Sequence, residues 1–256
     1  MPTQPRIYQS NLPLTPIIQE SIFTYLMKST YHKYDPLRPA FIDADSKISI
    51  TRAKLKNLSL RLGFGLRNHI LLPSTLDPQS FTKLTRGDTV MVFSSNTMSW
   101  PATVFGWVAC RIEWSSDSDG FFCRCLAAGL RMTFAGCSLT PRELSWQWVD
   151  SKARVIFVAP DLVTVALKMF DLIGVPRKEA HQRLWVMDQL WDENLPKGQY
   201  QTKNWMGALL KFGELSAEER FDGEDANETA YICYSSGTTV RFMFNFFIFD
   251  IECNYN

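Results

Sequence analysis

The chain has 256 residues, 46% of them hydrophobic, and a formal net charge of +1. That length and apolar content suffice for a sizeable core, as one large domain or one domain with a subdomain. The near-zero charge and the scattered Lys and Arg residues argue against nucleic-acid and membrane-surface partners.

No run approaches the roughly 18 apolar residues of a transmembrane segment. The most apolar stretch, 242–251, is short and carries Asn245 and Asp250. The start, Met1-Pro2-Thr3-Gln4-Pro5-Arg6, lacks the apolar core of a signal peptide. Six cysteines without a secretion signal read as reduced thiols, so an intracellular, cytoplasmic protein is expected. The last residues, Asn254-Tyr255-Asn256, are not a peroxisomal address.

Residues 1–14 read as an extended lead-in. Thr15 to Lys28 gives a helix, with Thr15 as cap, Pro16 in the first turn, and Ile17, Ile18, Ile22, Tyr25 and Leu26 on one face. Ala40–Asp43 and Lys47–Ile50 are strands around a turn at 43–46. Thr51 caps a helix from Arg52 to about Asn68 that turns Leu55, Leu58, Leu62 and Leu66 inward. A polar loop without evident chemistry is expected from about His69 to Arg86.

Gly87-Asp88 leads into a strand over Thr89–Phe93, then the turn Ser94-Ser95-Asn96-Thr97 and an apolar helix from Met98 to about Ala109. Gly129 closes a helix before a strand ending near Phe134. Thr140, Pro141 and Glu143 give a helix start with three signals at once: cap, first-turn proline and capping box. That helix runs to about Asp150. Strands over Arg154–Val158 and Arg183–Met187 bracket a helix over Asp161–Leu172. Residues 188–227 form an irregular connector with one helix at Trp205–Leu210. Strands alternating with helices predict an α/β fold, a parallel sheet with helices on both faces.

The stretch that carries chemistry is Tyr234-Ser235-Ser236-Gly237-Thr238-Thr239, which follows the apolar strand Thr229–Tyr234. Backbone N–H groups of such a turn converge on an anion, and the hydroxyls add donors. Gly237 lets the backbone close on a ligand because it lacks a Cβ. A polar surface turn is the ordinary reading of a Ser/Thr/Gly loop. Yet Ser-Ser-Gly-Thr-Thr arises by chance in a chain this long with a probability on the order of 10⁻⁴ to 10⁻³, which favours the phosphate reading.

These residues resemble the start of the phosphate-binding loop of the adenylate-forming (AMP-binding) enzymes: acyl-CoA synthetases, 4-coumarate–CoA ligases and luciferases. The hairpin-then-helix order near the N-terminus and the Gly-Asp, strand, Asn-turn, helix block resemble the same family. The resemblance implies that Asn96 caps its helix, and it covers roughly residues 15–239. It implies a layered parallel-sheet N-terminal subdomain, incomplete here, since the family's other functional segments follow this loop. It also implies ATP and Mg as cofactors, and a carboxylic acid and coenzyme A as partners. Ser235, Ser236, Gly237, Thr238 and Thr239 would bind the nucleotide; no catalytic residue is assigned. The family pattern continues with Gly, two variable residues and Lys, where this chain has Val240, Arg241, Phe242 and Met243.

Two segments depart from the family. Residues 110–127 separate a helix from the Gly129 that would close it, and read as an insertion, one source of which is a retained intron. Residues 240–256 read as an aberrant tail, in which Phe242, Phe244, Phe246, Phe247 and Phe249 fit an alternating strand or a translated non-coding end. The cysteines at 110, 123, 125 and 137 lack the paired short spacings of a zinc site, so no metal is expected there. No Gly-x-x-x-x-Gly-Lys-Ser/Thr or Gly-x-Ser-x-Gly string occurs. Two functions follow: a truncated ATP-dependent acid–CoA ligase, inactive as this chain, or a non-catalytic α/β binding or interaction module.

Overall fold

The computed structural model describes residues 23, 27, 35–73, 80–85, 87–108, 130–187, 204–216 and 229–234, and the backbone of 244–248. The lead-in, the segment 110–127, the turn 235–239 and the remainder of 240–256 lie outside the described residues. Of the helix expected over Thr15–Lys28, Phe23 and Met27 are described, both helical. Phe23, which the expected apolar face omits, is completely buried with Leu60 and Leu215.

The expected hairpin is β1 (Pro39–Ile42) paired antiparallel with β2 (Ser49–Thr51). The Asp43 carboxylate closes its turn by accepting from the backbone N–H groups of Ser46 and Asp45 and from the Ser46 hydroxyl. Thr51 then caps α1 (Arg52–His69), its hydroxyl accepting from the Lys54 N–H at 3.2 Å. Leu55, Leu58, Leu62 and Leu66 are all buried, as their spacing predicts.

A second hairpin, β3 (Leu71–Pro73) with β4 (Phe81–Lys83), stands where a polar loop is expected. Strands of three residues give no alternation to read, and Phe81 is exposed. Arg154 fastens this hairpin from outside, donating to the Thr82 hydroxyl at 2.9 Å and pairing with Asp88 at 2.6 Å.

The main sheet comprises β5 (Thr89–Phe93), β6 (Arg131–Ala135), β7 (Ala153–Val158), β8 (Leu184–Val186), β9 (Thr229–Tyr234) and β10 (Phe244–Ile248). Its order is β10-β9-β6-β5-β7-β8. All neighbours pair parallel except β9 and β10, which are antiparallel. Helices α2 (Ser99–Val108), α3 (Pro141–Ser151), α4 (Val163–Leu172) and α5 (Arg177–Arg183) connect the strands.

Side-chain alternation divides the core in two. Val90, Val92, Val155 and Phe157 join α1 and α2 on one face. Met91, Phe93, Ile156 and Val158 join α3, α4 and Ala180 of α5 on the other. All five residues of β5 are buried, as a central parallel strand requires.

The capping box of α3 forms in full. Glu143 Oε2 accepts from the Thr140 N–H at 2.9 Å, and the Thr140 hydroxyl accepts from the Glu143 N–H at 3.4 Å. Lys152 ends the helix in the left-handed region with φ of 53°. Helix α5 is absent from the sequence reading because Arg-Lys-Glu-Ala-His-Gln-Arg carries one buried apolar residue, Ala180. Helix α4 begins at Val163 after a 3-10 turn over Pro160–Leu162, two residues later than expected. Within the connector, Met206–Lys211 is a 3-10 helix lying on α1. Among the described residues, no helix is long and apolar enough to cross a membrane.

Gly65 of α1 meets this 3-10 helix directly. A Cβ added there would lie 2.6 Å from Leu209 Cβ and overlap the Leu209 carbonyl oxygen. Alanine gains about 1 kcal/mol of helix propensity over glycine, but overpacking against backbone costs about 1–3 kcal/mol. Gly65→Ala is therefore expected to lower stability by about 1 kcal/mol in urea unfolding, whereas an exposed helical glycine so changed would gain stability.

Candidate functional site at the carboxyl ends of the sheet

The residues before the candidate phosphate turn form β9 because Tyr-Ile-Cys-Tyr suits a strand packed on both faces. Its register against β6, Met132 opposite Tyr231 and Thr133 opposite Ile232, is parallel. Tyr234 therefore ends at the carboxyl side of the sheet, level with the ends of β5 and β6. Strand β10 returns antiparallel with Phe244 opposite Tyr234. Tyr234 and the backbone of Phe244 are thus held side by side at that edge. Ser235, Ser236, Gly237, Thr238 and Thr239 themselves lie outside the described residues.

The same edge contains a change in connection direction. After β5 the chain enters α2, whose Ala102 and Val104 pack with α1. After the adjacent β6 it enters α3, whose Leu144 and Trp148 pack on the opposite face. Loops that part to opposite faces leave a crevice at the carboxyl ends of a parallel sheet, where ligands of open α/β folds bind. The described residues bordering it are Ser94–Thr97 after β5 and Gly136–Leu139 after β6. Ser94 donates its hydroxyl to the Ser95 carbonyl at 2.7 Å, and the Cys137 thiol is free and exposed. Helix α2 starts at Ser99, three residues after Asn96.

No family model and no curated protein matches the sequence. Solved structures do match the fold. An anthranilate–CoA ligase, AuaEII, solved with anthranoyl-AMP, aligns over 94% of this chain with a TM-score of 0.61 and 15% identity. The red-emitting luciferase of Phrixothrix hirtus aligns over 91% with a TM-score of 0.63 and 17% identity. The o-succinylbenzoate–CoA synthetase of Bacillus subtilis, solved with its acyl-adenylate, aligns over 90% with a TM-score of 0.54 and 16% identity. The fold is that of the N-terminal part of the adenylate-forming enzymes. The chain spans 36%, 37% and 42% of the lengths of these three structures.

Within this fold, the side chains of β9 serve as anchors on both faces. The Tyr231 ring stacks on Phe134 with centroids 5.9 Å apart, on the α1–α2 side. Burial, reinforced by nearby Cys233, pushes the Tyr231 hydroxyl up to about 12. Burial likewise raises the Cys233 thiol, so neither group supplies a nucleophile at neutral pH. On the opposite face the Tyr234 hydroxyl donates to Asp150 Oδ2 of α3 at 2.7 Å. Burial first, then Asp150, hold Tyr234 well above the ordinary tyrosine range.

Three described arginines stand at the other end of the sheet. Arg131 opens β6, Arg154 lies near the start of β7, and Arg183 directly precedes β8. Arg154 is engaged with Asp88, and Arg183 with Glu179 and the Arg154 carbonyl. Among the described residues, no group of three or more His, Cys, Asp or Glu side chains is placed to hold a metal ion. The Asp150 partner of Tyr234 is absent from the sequence reading. A long-range bond to an exposed helix-end carboxylate leaves no local pattern.

Because Tyr231 is raised above its unfolded value of about 10, its burial stabilises the fold fully below pH 10. That contribution is lost as pH climbs toward about 12. Tyr231→Phe should flatten the alkaline fall in unfolding free energy, measured by urea titration between pH 9 and 12, by roughly 2 kcal/mol. Parallel curves for the two proteins would contradict the assignment.

Proposed function

We propose that this chain is part of an ATP-dependent acid–thiol ligase, in the acyl-CoA synthetase and 4-coumarate–CoA ligase branch, and that residues 235–239 form part of its nucleotide cradle. One observation supports the reading: the parallel register of β9 on β6 brings Tyr234, which directly precedes residues 235–239 in sequence, to the carboxyl ends of β5 and β6. The fold likeness to a CoA ligase and a CoA synthetase, each solved with an acyl-adenylate, supports the class of chemistry. The partial domain is taken as residues 15–239, with 110–127 as an insertion and 240–256 as a divergent end.

In that chemistry a carboxylate oxygen bonds to the α-phosphorus of ATP while the bond to pyrophosphate breaks. A thiol of coenzyme A then attacks the acyl carbonyl, losing its proton, and AMP leaves. The work required of the protein is to neutralise the triphosphate and hold the carboxylate in line. Ser235, Ser236, Thr238 and Thr239 supply hydroxyl donors, and Gly237 gives the backbone room to approach. Bound magnesium would screen the phosphate charge; its ligands are expected outside the described residues.

Val240 and Met243 stand where the family has Gly and Lys. A β-branched residue resists the conformations open to glycine, and a thioether brings no charge to the phosphates. Binding without turnover is the consequence, whereas a non-catalytic α/β module would fold cooperatively without binding nucleotide. ATP binding in calorimetry separates the nucleotide site from a module that folds without it.

Millimolar-or-better binding is expected from the 256-residue chain, with no measurable ATP–pyrophosphate exchange. Restoring the pattern with Val240→Gly and Met243→Lys should tighten ATP binding roughly tenfold, as a charge-assisted phosphate contact would. Cooperative unfolding without any ATP binding, in either protein, would overturn the proposal.

A further inference from the structure

Helix α3 contains an acid in an unfavourable place. Its last turn has no basic residue, yet Asp150 sits there, one position before the final residue Ser151. The carbonyl end of a helix disfavours an anion, so helix propensity does not explain the residue. Its partner comes from the sheet: Tyr234 donates to Asp150 Oδ2 at 2.7 Å. One turn earlier, Gln147 Nε2 donates to the Thr133 hydroxyl at 2.9 Å and to the Phe134 carbonyl at 2.8 Å. Residues three apart share a helix face, so this face of α3 grips two adjacent strands, β6 through Gln147 and β9 through Asp150.

Tyr234 is also the last residue of β9 and lies opposite Phe244 of β10. The bond to its side chain therefore restrains the residue that ends the strand. The raised hydroxyl of Tyr234 keeps it a donor throughout the physiological range.

We propose that Asp150 is a positioning residue: through the Tyr234 hydroxyl it sets the geometry of the β9 carboxyl end from which the nucleotide cradle begins. The assignment rests on the nucleotide reading above, but the anchor itself can be measured without a ligand. It acts through Tyr234 and touches no reacting atom.

The test compares Asp150→Ala, Asp150→Asn and Tyr234→Phe with the unaltered 256-residue chain. Amide hydrogen exchange over β9 and β10 should quicken roughly fivefold in Asp150→Ala and Tyr234→Phe, a loss of the size of one hydrogen bond. Asp150→Asn, which keeps an acceptor, should restore it. In the tyrosinate absorbance titration, Asp150→Ala should shift one transition to lower pH, a signature that general loss of stability would not give. The Kd for ATP with magnesium should rise roughly fivefold in the two disruptive variants, and their double mutant should be no worse.

Wild-type exchange and titration in Asp150→Ala would overturn the anchor. Quickened exchange with unchanged ATP affinity would overturn its role at the site. If the unaltered chain bound no ATP, the nucleotide reading would fail instead, and hydrogen exchange alone would decide the anchor.

Discussion

The constraint on which this molecule depends is that β5 and β7 are buried on both faces. Their odd and even side chains enter two separate cores, with α1 and α2 on one side and α3, α4 and α5 on the other. A parallel strand cannot leave its backbone edges or either face to solvent, so each connection must cross over a face and pack there. Right-handed crossovers then dictate which face. Moving leftward from β5 to β6 puts α2 on one side, and moving back to β7 puts α3 on the other. The crevice at the carboxyl ends is a by-product of satisfying burial.

Much of the architecture was legible because it is local. Thr51 before an apolar stripe, and Thr140-Pro141 with Glu143, announce helix starts through bonds within one turn, and both form as read. Thr89–Phe93 and Thr229–Tyr234 are dense apolar runs, and both are strands with the expected limits. What stayed hidden lacks a local period. The β3–β4 hairpin is too short to alternate and depends on Arg154, whose partners Thr82 and Asp88 lie far from it in sequence. Helix α5 is polar almost throughout, and Phe23 is buried by neighbours rather than by its own stripe.

The candidate site divides along the same line. The turn 235–239 could be picked out because its composition is improbable and it follows a strand. Its surroundings could not: the parallel partner of β9, the level at which β9 ends, and the bond from Tyr234 to Asp150 are all products of tertiary packing. The turn expected at Ser94–Thr97 is followed by a helix that starts at Ser99, three residues after Asn96. The bonds at Gln147 and Asp150 give α3 a second role beyond covering the sheet, since it fastens both strands beside the crevice.

The most direct test of the account is where ATP, added with magnesium, perturbs the backbone amide resonances of the chain. The account predicts the largest changes at 235–239, with smaller ones at the neighbouring carboxyl-end loops 94–97 and 136–139. Changes concentrated among Arg131, Arg154 and Arg183 at the opposite end of the sheet, or none at all, would contradict it.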